Sequence, residues 1–450
     1  MLKISEIVKA TGGELLFGCE DNVIENIVTD SRQAVKGTLF AAIKGENADG
    51  HDYIKKAAEL GMSAVLCEKD IPFIEGAAAI KTDNTVRALG KIAKYYLSTL
   101  SVKKVAVTGS VGKTTTKDMI YAVLSGKGKA LKTLGNFNNE LGLPLTVFRL
   151  TKEEEFAVLE MGMSEFGEIS YLSEIARPEI AVISNIGHSH IENLGSQEGI
   201  LKAKCEIADY MDENGVIIMN GDDALLYSVK NNFKQKTVYF GVKNPDCDYV
   251  AQIESVDEKS TTFVLNGETY TVGTPGIHNV YNALSAIITG ELLGVEREKI
   301  KSGIENFEQT GMRMEMKEVN GYTLLVDCYN SSPDSIRAGL NVLSNMKSCE
   351  RRIAVLGSVR ELGDKRDELL FEVGEYLADG RADLLVTVGE DALAINKGAE
   401  AKGFCNHVNL KDNAEASEYL KNILENGDAV LIKASRYYKF EEIADSLATV

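Results

Sequence analysis

At 450 residues, 44% of them hydrophobic, the chain can build roughly two to four domains with cores of their own. A net charge of -18 argues against broad affinity for nucleic acid or anionic membrane, whose phosphates would be repelled. No apolar run approaches the ~18 residues of a membrane span, and MLKISEIVKATGG lacks the apolar stretch of a signal peptide. The cysteines at 19, 67, 205, 247, 328, 349 and 405 form no C-x-x-C pair, so a reduced, cytoplasmic protein is expected, without disulfide frame or zinc site.

The pattern is α/β from end to end. KISEIVKATGG reads as a helix stopped by glycine, GTLFAAIKG as a short apolar strand, and HDYIKKAAELGMSAVLCE as helix, turn, strand. NTVRALGKIAKYYLSTL is an amphipathic helix that closes a small first domain, residues 1–101. KKVAVTG then opens a second domain, residues 102–312. Its strands EFAVLEMG, EIAVISNIG and GVIIMNGDD alternate with helices, which implies a parallel sheet covered on both faces. Within it, DYVAQIESVDEKSTTFVLNGETYTV alternates like a small antiparallel insert, and HNVYNALSAIITGELLG is a strong helix. Residues 313–450 repeat the alternation with strands YTLLVDCY, RRIAVLGS, ADLLVTVG and DAVLIKAS, a Rossmann-like domain without a G-x-G-x-x-G turn.

The chemistry concentrates at VAVTGSVGKTTTKDM, residues 105–119. Gly112-Lys113-Thr114 ends a phosphate-binding loop between a strand and a helix. There loop amides cradle phosphate, the lysine meets outer phosphate oxygens and a hydroxyl reaches Mg²⁺. The usual first glycine would fall at 107, which is Val; Gly109 stands two residues later, followed by Ser110, and Thr115 follows Thr114. Three further places carry candidate ligands. Glu160 ends a strand, where open sheets present ligand groups. SNIGHSHIENLGS places His188 and His190 after another strand; imidazole can bind metal, though isolated histidines are first read as structural. Lys204, in ILKAKCEIAD, lies on a helix, where a lysine ordinarily faces water or pairs with a neighbour such as Glu206 or Asp209.

The compressed loop T-G-x-x-G-K-T-T resembles that of the Mur ligases, which build the peptide of bacterial cell-wall precursors, and it is similar to that of folylpolyglutamate synthetases. The resemblance covers essentially the whole chain and implies an ATP-dependent, ADP-forming amide ligase that works through an acyl phosphate, with Mg²⁺. It implies metal ligation by Thr114, Glu160, His190 and a carbamylated Lys204. In GIHNVYNALSA, Asn282 would contact adenine; in TGMRMEM, Arg313 would reach ATP phosphates; in VDCYNSSPDS, Asp327 would contact ribose and Asn330 the substrate. The first-domain stretch TDSRQAVKGTLFAAIKGENADGHDYI resembles a uridine-nucleotide site with Ser31 and Arg32 as contacts. GNFNNELGLP, with Asn138 and Asn139, is similar to the segment of the member that adds D-alanyl-D-alanine to a UDP-linked muramoyl tripeptide. IKASRYYKFEEI adds Ser435 and Arg436 on the amine side. Cys328, Ser331, Ser332, Ser358 and Ala434 depart from the family pattern, all of them in the third domain. A sister ligase adding another amino acid is the alternative, or, in a different class, a regulatory protein that binds ATP without ligation. A monomer with small-molecule substrates only is expected.

Overall fold

The computed structural model describes residues 1–309 and 311–449. Thr310, within TGMRMEM, and Val450 lie outside the described residues. Among those described, no helix is long and apolar enough to cross a membrane.

The central sheet fixes everything else. It has seven strands, all parallel, in the order Tyr249–Val250, Lys236–Gly241, Val216–Asn220, Ile180–Ile183, Lys103–Thr108, Phe156–Glu160, Ala130–Lys132. Alternation along Lys103–Thr108 serves two cores. Val105 and Val107 pack with Ile120, Val123, Val280 and Ile287 from helices Lys113–Ser125 and Ile277–Leu292, while Ala106 joins Ile169 and Leu172 on the opposite side. Because Lys103–Thr108 is flanked by the later strands Phe156–Glu160 and Ile180–Ile183, the strand order reverses there. The crevice at the carboxyl ends of these three strands is where an open α/β sheet takes its ligand.

The first domain is a mixed five-stranded sheet, with Glu14–Phe17 antiparallel to Ala78–Lys81 and the remaining pairings parallel. Its expected helices form at Ile4–Thr11, closed by Gly12 at φ 71°, and at Thr85–Ser98, capped by the Asn84 side chain. The third domain is a six-stranded sheet ordered Glu315–Val319, Tyr322–Val326, Asp428–Lys433, Arg351–Gly357, Leu384–Val388, His407–Leu410. Only the first pair is antiparallel.

The antiparallel insert is three strands, Gln252–Val256, Thr261–Leu265 and Glu268–Val272. Its expected start is corrected at one end: Tyr249–Val250 hydrogen-bonds in parallel to Lys236–Gly241 and belongs to the central sheet. Alternation alone could not separate the two, since an edge strand exposes one side as a hairpin strand does. The insert's turn also ties the third domain down. Glu258 accepts hydrogen bonds from the backbone N–H groups of Lys347 (2.8 Å) and Ser348 (2.7 Å) and from the Ser348 hydroxyl (2.6 Å).

Candidate active site

The phosphate-binding loop is moulded by the end of the neighbouring strand. The Ser110 N–H donates to the Asn185 carbonyl, the Val111 N–H donates to Asn185 Oδ1, and the Val111 carbonyl accepts from Ser184 and Asn185 side chains. Gly112 sits at φ 84°, and a Cβ there would stand 2.7 Å from Asn282 Oδ1, so only glycine fits. Gly109 at φ 149° leaves the room that the Ser184 hydroxyl occupies. Lys113 Nζ folds back on the loop, donating to the Gly109 carbonyl at 2.7 Å and the Ser110 carbonyl at 3.3 Å. Burial pushes its ammonium below the usual lysine range, Glu160 opposes that, and Arg313 adds to it.

Glu160 is 2% exposed and held by both oxygens. Oε2 accepts from the Thr114 hydroxyl at 2.9 Å, and Oε1 from Asn138 Nδ2 at 2.9 Å. Lys117 Nζ lies 3.8 Å away. His190 caps a short helix at φ 64°, a strained conformation outside glycine, and its Nδ1 is 2.6 Å from Glu361 Oε2 of the third domain without hydrogen-bond alignment. His188 pairs instead with Asp334, whose Oδ2 accepts its backbone N–H at 2.9 Å.

Lys204 is 1% exposed, so the expectations of a solvated side chain or a pair with Glu206 or Asp209 do not hold. Among the described residues it has no hydrogen-bond or ion-pair partner, and Glu206 is engaged by the Gly167 and Ser170 N–H groups. Burial first, and then Lys113, pushes its amine well below the usual range.

Loop, carboxylate and third domain enclose a cavity of about 630 Å³. From the sequence candidates it gathers Ser110, Gly112, Lys113, Thr114, Asn138, Asn139, Glu160, His190, Arg313, Asn330 and Arg436. Arg313 lies between Met312 (φ 58°) and Met314 (φ 49°), its guanidinium 4.5 Å over the Tyr329 ring and its Nε buried without a partner. The other candidates stand behind or apart from this wall. Thr115 is buried. Asn282 Oδ1 accepts from Thr116, and its Nδ2 donates to Asn279. Asp327 is 2.6 Å from the buried Lys433 ammonium. The Ser435 hydroxyl accepts the Arg360 N–H. Ser31 and Arg32 sit on the first domain, Ser31 buried in a short turn and Arg32 chelated by Asp30, and neither reaches the cavity.

The donor set suits a hard divalent cation only with help. Among the described residues no group of three or more His, Cys, Asp and Glu could hold a metal by itself. Glu160 and the Thr114 hydroxyl are oxygen donors, and His190 Nδ1 lacks an aligned bond; a cation here would complete its shell from phosphate and water oxygens. Reading the sequence missed Lys117, Glu361, Asp334 and Tyr329. The T-T-T-K-D-M run was the available signal for the first of these and VDCYNSSPDS for Tyr329 and Asp334; Glu361 meets His190 only through a tertiary contact.

Comparison with known proteins fits this arrangement. Residues 107–290 match the Mur ligase middle domain, 312–436 the Mur ligase glutamate ligase domain, and 23–97 the Mur ligase family catalytic domain. The chain is 40% identical over 452 residues to the UDP-N-acetylmuramoyl-tripeptide–D-alanyl-D-alanine ligase of Bacillus subtilis, with 99% of this chain and 97% of that protein covered. To the same-named ligase of Escherichia coli it is 32% identical, with 99% and 98% covered. Among solved structures, MurF from Acinetobacter baumannii superposes with a TM-score of 0.91 at 31% identity, covering 100% of this chain and 99% of that one. MurF ligase from Thermotoga maritima in complex with ADP gives 0.83 at 29% identity, covering 94% and 97%. This chain belongs to the Mur ligase family.

Proposed function

We propose that the protein joins D-alanyl-D-alanine to a UDP-N-acetylmuramoyl tripeptide, with cleavage of ATP to ADP and phosphate, in the assembly of peptidoglycan precursors. The observation that carries this reading is the cavity itself. A phosphate loop and a buried carboxylate form one wall, and Arg313, Tyr329, Asn330 and Arg436 of the other domain form the facing wall. The near full-length similarity to ligases bearing that name supports the choice of substrates.

Loop amides and the start of helix Lys113–Ser125 receive the β- and γ-phosphates of ATP. Lys113 exchanges its two loop carbonyls for phosphate oxygens, and Arg313 approaches from the facing wall. The tripeptide carboxylate attacks the γ-phosphorus, ADP leaves, and the resulting acyl phosphate is attacked by the dipeptide amine, expelling phosphate. Charge grows on the transferring oxygens, and fixed cations and amides aimed at that spot lower the barrier most. Mg²⁺, held by Thr114, Glu160 and His190, would supply further charge neutralisation there. The neutral amine of Lys204, favoured by burial, reacts with CO₂ to give a carbamate and a proton, and the carbamate would offer oxygen ligands to Mg²⁺. We assign uridine-nucleotide binding to residues 1–101 through Ser31 and Arg32, nucleotide chemistry to 102–312, with Asn282 toward adenine, and amine binding to 313–450. Asp327 serves the ribose, and Ser435 and Arg436 the substrate side. We place the protein in the cytoplasm, in keeping with its free cysteines, and expect it to act as a monomer.

A substrate matrix tests the assignment. Turnover with the tripeptide nucleotide should require D-alanyl-D-alanine. Preference for a single amino acid as the amine would move the protein to a sister activity.

A further inference from the structure

A group of four charges, three of them buried, lies behind the cavity wall. Lys117 is 1% exposed, with Nζ 3.3 Å from Asp118 Oδ1 and 3.8 Å from Glu160 Oε2. Asp118, also 1% exposed, is 2.8 Å from Lys132 Nζ, which lies 4.7 Å from the Tyr121 ring. Two ammonium groups thus face two carboxylates, and the formal sum is zero. Glu160 is the member that lines the cavity, and its orientation is already set by Thr114 and Asn138. Lys113 faces Glu160 as a fifth charge; its ammonium is hydrogen-bonded to loop carbonyls, which leave that charge in place, and it is the group that turns to phosphate when nucleotide enters.

A divalent cation is attracted by uncompensated negative charge and by several oxygen donors. The first is cancelled here by Lys117. The second is short, because no group of three or more His, Cys, Asp and Glu gathers among the described residues. The missing charge and oxygens are those of a nucleotide triphosphate.

We infer that Lys117 is a positioning residue that keeps Glu160 from capturing a divalent cation until ATP supplies phosphate oxygens, so that metal and nucleotide are taken up together. The inference rests on the reading of Glu160 as a cation-holding carboxylate. It separates two roles for the buried cluster: Thr114 and Asn138 set the direction of the carboxylate, and Lys117 sets its charge balance. Removing the Lys117 charge makes the sum of the surrounding charges one unit more negative and should raise affinity for a free cation. A merely structural defect would lower cation affinity, not raise it.

The test is Mn²⁺ titration of the full-length protein, followed by the electron paramagnetic resonance signal of free Mn²⁺, with and without the non-hydrolysable analogue adenylyl imidodiphosphate. The wild type should bind Mn²⁺ weakly alone and tightly with the analogue. Lys117→Met should bind Mn²⁺ alone about tenfold tighter or more. Lys132→Met gives the same formal charge from a side chain that is 18% exposed, and carries the test if Lys117→Met does not fold, as judged by near-ultraviolet circular dichroism. Folded variants with wild-type affinity for free Mn²⁺ would overturn the inference, as would a wild type that binds Mn²⁺ equally with and without the analogue. Glu160→Gln separates the two layers. If it leaves Mn²⁺ binding with the analogue unchanged, the role given to Glu160 fails; if it weakens that binding while Lys117→Met and Lys132→Met do nothing, only the inference fails.

Discussion

Replacing Glu258 by alanine should loosen the third domain's grip on the central one without touching a reacting group. The carboxylate accepts three hydrogen bonds across the domain boundary, two from backbone N–H groups and one from the Ser348 hydroxyl. Those bonds hold its pKa below the usual glutamate range, the Ser348 hydroxyl contributing most. Fully buried, each bond to a charge would contribute about 1.5–3 kcal/mol. The turn is partly open to water, where exposed charge interactions contribute about 0–1 kcal/mol, so the set is worth roughly 1–2 kcal/mol in total. The closed-to-open ratio should therefore fall by a factor of about 5–30. The consequence is kinetic, because Arg313 and Arg436 share one cavity with the phosphate loop where the two walls meet. Small-angle scattering should show a larger radius of gyration for Glu258→Ala in the presence of nucleotide, and kcat/KM for ATP should drop by up to that factor. Ser348→Ala, which removes only the hydroxyl bond, should lose less. An unchanged radius of gyration together with unchanged kcat/KM would show that Glu258 does not hold the two domains together.

Lys113→Ala should abolish ligation and leave uridine-nucleotide affinity, measured by calorimetry, unchanged, since Ser31 and Arg32 lie outside the cavity. Lys204→Ala should lose most activity and regain part of it with added formate or acetate; wild-type activity in that variant would remove the carbamate from the account. His278 is pushed down to about 4, by burial first and by Lys433, with Asp327 opposing. Its folded pKa is thus below its unfolded value near 6.5, so the stability it confers is full above about 6.5 and is lost as pH falls toward 4, by at most about 3 kcal/mol. Denaturant midpoints across that window should fall, and His278→Asn should flatten the slope.

What could be read from sequence was what repeats locally. Continuous apolar runs and glycine-ended helices located the strands Lys103–Thr108, Phe156–Glu160 and Ile180–Ile183, and so the ends where Gly112, Glu160 and His190 sit. The strand order that makes those ends neighbours is a tertiary fact, and only motif resemblance stood in for it. Short or weakly patterned strands such as Glu14–Phe17 and Glu315–Val319 escaped, being half-exposed edges with little alternation. Partnerships between distant residues escaped as well. Nothing near His190 announces Glu361, nothing near Glu258 announces Ser348, and a lysine in a helix gives no sign of being sealed like Lys204. Asn138, expected at the substrate from its segment, lines the cavity and also donates to Glu160, a bond that the segment did not announce.

Amide ligation in this cavity is tested by ADP release under single omission of each substrate. With the muramoyl tripeptide nucleotide, D-alanyl-D-alanine, ATP and Mg²⁺ present, one ADP should appear for each amide bond formed, and omission of either the carboxylate or the amine should bring release to near background. Steady ATP hydrolysis with neither acceptor present, or ADP release with no coupled product detected by mass spectrometry, would contradict the assignment of this cavity to amide ligation.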